Sequence, residues 1–145
     1  MKLKTTVTVE FDNGYAKQVA RDFCKSVVLD MVIDATEQAR LNVSPGMGPG
    51  PHPHVSKHVD TGRLAAAIEN DIEVGENGVV GVVGVAEEPM ATYGAALELG
   101  WHAKNGTFYR YPWLAPAVLG VGGDLRVRAG RKVKSYFQGR RMRRR

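Results

Sequence analysis

The chain has 145 residues, 43% of them hydrophobic and 24% charged, with a formal net charge of +5 and a single cysteine. That length supports one core rather than two, and the composition is ordinary for a soluble globular domain. Lone Cys24 excludes an internal disulfide; no apolar run approaches the roughly 18 residues of a membrane span. Met1 to Thr6 carries no signal-peptide core, so the chain is expected to be made, and to assemble, in a cytosol.

The charge is unevenly placed. Residues 1–124 hold 10 basic and all 15 acidic residues, a balance of −5, whereas 125–145 hold 10 basic residues and no acid, +10. An acidic body carrying a basic tail says more about partners than the overall balance does.

Lys4 to Asp12 alternates, with Val7, Val9 and Phe11 on one face and Thr6, Thr8 and Glu10 on the other, which predicts a half-buried strand. Asp12-Asn13-Gly14 is a turn signal. From Tyr15 to about Asn42 the period becomes helical. Tyr15, Val19, Phe23, Val27, Met31 and Ala35 follow at i,i+4, widened by Ala16, Ala20, Cys24, Val28 and Ala39. Such a helix covers a sheet, and at about 40 Å it outruns a small one, which leaves length for packing on another subunit. Cys24, among these apolar positions, reads as a small buried hydrophobe rather than a nucleophile.

Residues 44–58 hold four prolines and three glycines within Ser44 to Lys57, an exposed loop. His52, His54, His58 and Asp60 have the types of a metal set, but the loop offers no rigid frame, and solvated histidines are the expectation. Ser44, Ser56, His54 and Asp60 can be arranged on paper as a triad, yet no nucleophile elbow surrounds either serine. Neither metal, cofactor nor enzymatic activity is expected.

Asp60 or Thr61 can cap a helix that runs through Gly62, Arg63 and Leu64 to Ile68. Ile72 to Val74 and Gly78 to Val85 read as strands joined through Asn77-Gly78, a hairpin signal. Glycines within the second strand are costly unless an element packs closely on it, and the long helix is the candidate. They do not make a phosphate loop, because neither Lys-Ser/Thr nor a helix follows.

Tyr93 to Leu99 is predicted helical and is closed by Gly100. Glu98 lacks a second carboxylate at catalytic spacing, so a structural pairing is expected, with Arg63 the most economical partner. After a bend at Lys104-Asn105-Gly106, Thr107 to Tyr109 reads as a short strand. Trp101, Phe108, Tyr109, Tyr111 and Trp113 place five aromatics in thirteen residues, too much rigid apolar surface for a solitary molecule, and mark a core-closing or subunit interface. Pro112 opens a helix containing Pro116. Gly122-Gly123 interrupts it as a kink or hinge, and the helical register resumes from Leu125 to Phe137, ending at Gln138-Gly139.

The fold class that follows is α+β: a long N-terminal amphipathic helix and a C-terminal helix packed on a small, mainly antiparallel sheet. Residues 1–124 form the domain, and 125–145 a basic helix and tail. Arg126, Arg128, Arg131, Lys132, Lys134, Arg140 and Arg141 attract any polyanion, without means of reading base sequence. They serve either a neighbouring subunit's acidic body or nonspecific proximity to DNA, or form a solvated end.

Three runs also resemble a known family. Asp60-Thr61-Gly62-Arg63-Leu64 with Ile68, then Tyr93-Gly94 with Leu97-Glu98-Leu99-Gly100-Trp101, then Pro112-Trp113-Leu114-Ala115-Pro116-Ala117 are similar, in order, to three motifs of one group. These are the helix start DTGxL…I, the segment YA…(V/L)EFGT and the helix start PF(L)xPA of neck, or head–tail joining, proteins of long-tailed bacteriophages. Gly94 stands where that family usually has Ala, and Trp101 where Thr is common. The resemblance implies a structural virion protein, assembled in the host cytoplasm as a ring of six or twelve copies, with other connector and tail proteins as partners. A nonspecific nucleic-acid-binding module is the alternative.

Overall fold

The computed structural model describes residues 2–8, 14–44, 61–76 and 78–142, and the side chains of 17–44, 62–76 and 78–135. Strand β1 (Lys2–Thr8) precedes helix α1 (Gly14–Val43), and helix α2 (Thr61–Ala67) leads into the hairpin β2 (Glu69–Val74) and β3 (Gly78–Gly84). Helix α3 (Met90–Leu99), the short strands β4 (Trp101–His102) and β5 (Phe108–Tyr109), and helices α4 (Leu114–Gly123) and α5 (Leu125–Met142) complete the chain. The architecture is α+β, with antiparallel pairing throughout and β3 in the middle of the order β1-β3-β2.

The core lies between α1 and one face of that sheet. Cys24, Val27, Val28, Met31, Val32, Ala35, Ala39 and Val43 of α1 are buried against Val79, Val83 and Val85 of β3 and its extension. Burial on the order of 1.5–3 kcal/mol per large aliphatic side chain, rather than helix propensity, holds α1 in place. Thr36 is the buried polar exception and is satisfied twice. Its hydroxyl donates to the Val32 carbonyl at 2.6 Å and accepts from Asn70 Nδ2 of β2 at 2.9 Å. Arg40 donates to the Ile68 carbonyl at 2.7 Å, and Arg21 to the Glu76 carbonyl at the hairpin turn at 3.1 Å.

Gly81 explains how closely helix and sheet meet. A Cβ there would lie 2.4 Å from Val32 Cγ1 and 2.9 Å from Val28 Cγ1, so the crossing point requires hydrogen in place of a side chain. The register places Thr5 and Ile72 on either side of it. Burial also pushes the Cys24 thiol above its ordinary pKa, consistent with a packing role.

Several boundaries differ from the sequence reading. The second strand's partner begins at Glu69 rather than Ile72, because Asn70 bonds Thr36 and the ladder extends to Gly84. The helix at Trp113 starts at Leu114, with Pro116 inside its first turn. The last helix does not stop at Gln138-Gly139 but continues to Met142, since a single glycine costs only about 1 kcal/mol in a helix. Trp101–His102, to which the sequence reading gives no element, is a strand paired with Phe108–Tyr109 across the predicted bend at Lys104-Asn105-Gly106. Residues 9–12 of the predicted first strand with Asn13 of its turn, residues 45–60 of the loop and its approach, and the end at 143–145 lie outside the described residues.

Replacing Gly81 with Ala should lower stability by about 1–3 kcal/mol, the range for overpacking. Adding Val32→Ala should recover part of that loss. Gly130→Ala, whose Cβ meets nothing within 4 Å in α5, should be neutral or stabilising by up to about 1 kcal/mol. Urea midpoints at unchanged m-value measure all three.

Candidate interaction site

Helices begin with four N–H groups that have no intrahelical partner. In α4 these belong to Trp113, Leu114, Ala115 and Pro116, and the last has none. Glu98 of α3 satisfies the other three. Its Oε2 accepts from Trp113 N at 2.7 Å and Leu114 N at 2.8 Å, and its Oε1 from Ala115 N at 3.2 Å. The carboxylate is buried, at 3% exposure, and the positive end of the α4 dipole favours its charge. The sequence reading looked for a cation, Arg63; the partners of this carboxylate are backbone N–H groups.

Around this cap the three motifs meet. Trp113 is buried, and its indole Nε1 donates to the Gly94 carbonyl at 2.9 Å. A Cβ on Gly94 would lie 3.1 Å from Trp113 Cζ2 and 3.2 Å from Leu64 Cδ1. Leu64 is fully buried, so α2, α3 and α4 share one joint. Asn42 Nδ2, at the end of α1, donates to the Trp113 carbonyl at 2.9 Å and fixes that joint to the long helix. Arg110 Nε donates to the Glu98 carbonyl, and Tyr111 N to the Leu97 carbonyl, both at 2.8 Å. Asn42 and Arg110 were not singled out in the sequence, because nothing in their spacing points across 71 or 12 residues.

The predicted aromatic interface divides in two. Trp113 belongs to the core, not to a surface, because its ring fills the space beside Gly94. Trp101 stacks on Tyr109 with ring centroids 5.6 Å apart and lies 5.8 Å from Tyr111. All three are half-buried. Gly100, at φ 99°, turns the chain from α3 into β4, and a Cβ there would meet the Phe108 ring and the Tyr109 carbonyl. Phe108, whose ring lies 5.2 Å from that of His102, remains 53% exposed, and Leu99 at the end of α3 is 65% exposed, so both leave apolar surface facing solvent.

Helix α5 lies along α1 by charge. Arg128 pairs with Asp34, while Lys132 Nζ sits 2.8 Å from both Asp30 Oδ2 and Ser26 Oγ. Two basic residues assigned from sequence to other molecules are therefore used within the chain. Arg128 Nε is buried without a hydrogen-bond partner among the described residues. Arg126, Arg131 and Lys134 are exposed, and the side chains of Arg140 and Arg141 lie outside the described residues. So do Asp60 and the Thr61 side chain; Gly62 and Arg63 are exposed at the start of α2.

Among the described residues, no group of three His, Cys, Asp or Glu side chains could hold a metal ion, and no helix is long and apolar enough to cross a membrane. His52, His54 and His58 lie outside them.

Glu98→Ala should cost about 3–5 kcal/mol, since it strands buried N–H groups, and Glu98→Gln less, because one acceptor oxygen remains. Gly94→Ala should destabilise alone and be better tolerated with Trp113→Phe, by denaturant titration. The α1–α5 ion pairs are partly solvated, so Asp30→Ala with Asp34→Ala should cost only about 0–1 kcal/mol per pair. The same substitutions should speed amide hydrogen exchange throughout α5, read by mass spectrometry.

Comparison with protein-family models, curated proteins and solved structures yields no significant match.

Proposed function

We propose that this chain is a structural virion protein, a ring-forming neck component at the head–tail junction of a long-tailed bacteriophage. The observation that carries the reading is the convergence of the three resembling motifs on one buried joint. Leu64, Gly94, Glu98 and Trp113 come from runs far apart in sequence, yet each depends on another for space or hydrogen bonds. Two departures from the resembled pattern also compensate. Where that pattern has Ala and Phe, this chain has Gly94 and the larger Trp113, and the missing Cβ makes room for the larger ring.

Assembly rather than chemistry is the mechanism. The α+β body supplies the ring wall, with six or twelve copies around the circle. The apolar surface at Leu99 and at Phe108 and the exposed cations of α5 meet neighbouring copies and the connector and tail proteins above and below. The protein is assembled in the host cytoplasm and retained in the virion.

A nonspecific nucleic-acid-binding module is the second reading, favoured by one observation. Arg126, Arg131 and Lys134 are exposed on α5 with no carboxylate partner among the described residues. Such cations bind phosphate with steep salt dependence.

Deleting the gene from its phage should leave filled heads and finished tails that do not join, and supplying the chain in trans should restore joined particles. Joined, infectious particles formed without it would overturn the neck reading. Tight, salt-sensitive binding of the free chain to duplex DNA, lost on removing 125–145, would favour the alternative.

A further inference from the structure

We propose that the groove between α1 and α4 is the docking site for helix α5 of a second copy of this chain. The inference rests on the ring reading and names the surface through which copies join. The groove is a shallow depression, open to solvent, of about 570 Å³. Its lining is apolar at Leu41, Pro116, Ala117 and Val121 and carries carboxylates at Glu37 and Asp124 beside the Asp34 already paired with Arg128.

The chain's own α5 cannot fill it. Arg128 pairs with Asp34 and Lys132 with Asp30 and Ser26, so α5 runs antiparallel to α1, away from residues 37–42. Of the described α5 side chains only Arg128 lines the groove, at the Asp34 end, where it shows that a basic side chain from α5 suits this wall. Glu37 and Asp124 are exposed and have no cationic partner among the described residues.

The matching surface lies on α5 itself. Arg126, Arg131 and Lys134 are exposed, and Val127 and Val133 are 51% and 42% exposed. A helix offering cations and valines fits a groove lined by carboxylates and apolar side chains, whose own Leu41 is 43% exposed. Because groove and helix are different surfaces of one chain, the contact is head-to-tail, the kind that closes rings. The balance of −5 over residues 1–124 and +10 over 125–145, of which Arg128 and Lys132 are already paired within the chain, gives the contact complementary sign.

Charge exchange tests it. Glu37→Lys with Asp124→Lys reverses the groove, and Arg131→Glu with Lys134→Glu reverses the helix. Self-association of the full chain is followed by sedimentation velocity at low and high salt, with circular dichroism to verify folding; Glu37→Lys alone serves if the double variant loses helix. Each reversal should weaken association by about tenfold or more, and an equimolar mixture of the two should restore it. Variants that associate like the parent, a mixture that fails to recover, or a parent that does not self-associate at low salt would each overturn the inference. A chain that still joins heads to tails in that case leaves the neck reading standing. A chain that associates through the groove but is dispensable for joining removes the neck reading alone.

Discussion

Burying the first turn of a helix is possible only if its free N–H groups are met, and in this protein one carboxylate meets them. Glu98 accepts from three successive backbone N–H groups of α4, and Pro116 removes the fourth. No side chain at the α4 N-cap does this locally: Trp113 occupies that position and makes no capping bond. The end of α3 must therefore lie against the start of α4. Leu114, Ala117 and Val121 then face the core. Gly94 without a Cβ and Trp113 with its bonded indole complete the same constraint by shape.

Helix α1 is the frame on which this joint is mounted. One stripe of it covers β3 so closely that Gly81 is needed at the crossing. Its end holds the joint through Asn42, and a separate face carries Asp30 and Asp34 for α5. Apolar burial fixes the first relationship firmly. Partly solvated ion pairs fix the last weakly, because water competes for both charges. The molecule thus has a well-packed body and a basic helix held mainly by its charges, a suitable division for a part whose proposed role is to engage neighbours.

The chain's own acids neutralise Arg128 and Lys132 but leave Arg126, Arg131 and Lys134 without carboxylates among the described residues. The groove, which α5 only borders at its first turn, keeps Glu37 and Asp124 without cationic partners among the described residues. The proposed ring of identical copies would bring the two surplus charges together, whereas an isolated copy leaves both to solvent and salt.

The sequence alone determined the periodicities: the i,i+4 stripe of α1, the β-rich hairpin, the glycine closing α3 and the division of charge between body and tail. Each is local, set by side-chain period or by the conformations glycine and proline allow. It also marked Glu98 as a carboxylate on an apolar helix needing a partner, and the glycines of β3 as a place of close approach. Which partner and which glycine were decided only by the tertiary structure. The Glu98 bonds, the Asp34–Arg128 pair and the Asn42–Trp113 bond join residues 15 to 94 positions apart. For the same reason the sequence left Trp113 as either core-closing or part of an interface, and the structure makes it core. Its burial depends on Gly94 and Leu64 arriving from two other helices, and no spacing along the chain encodes which helices will meet.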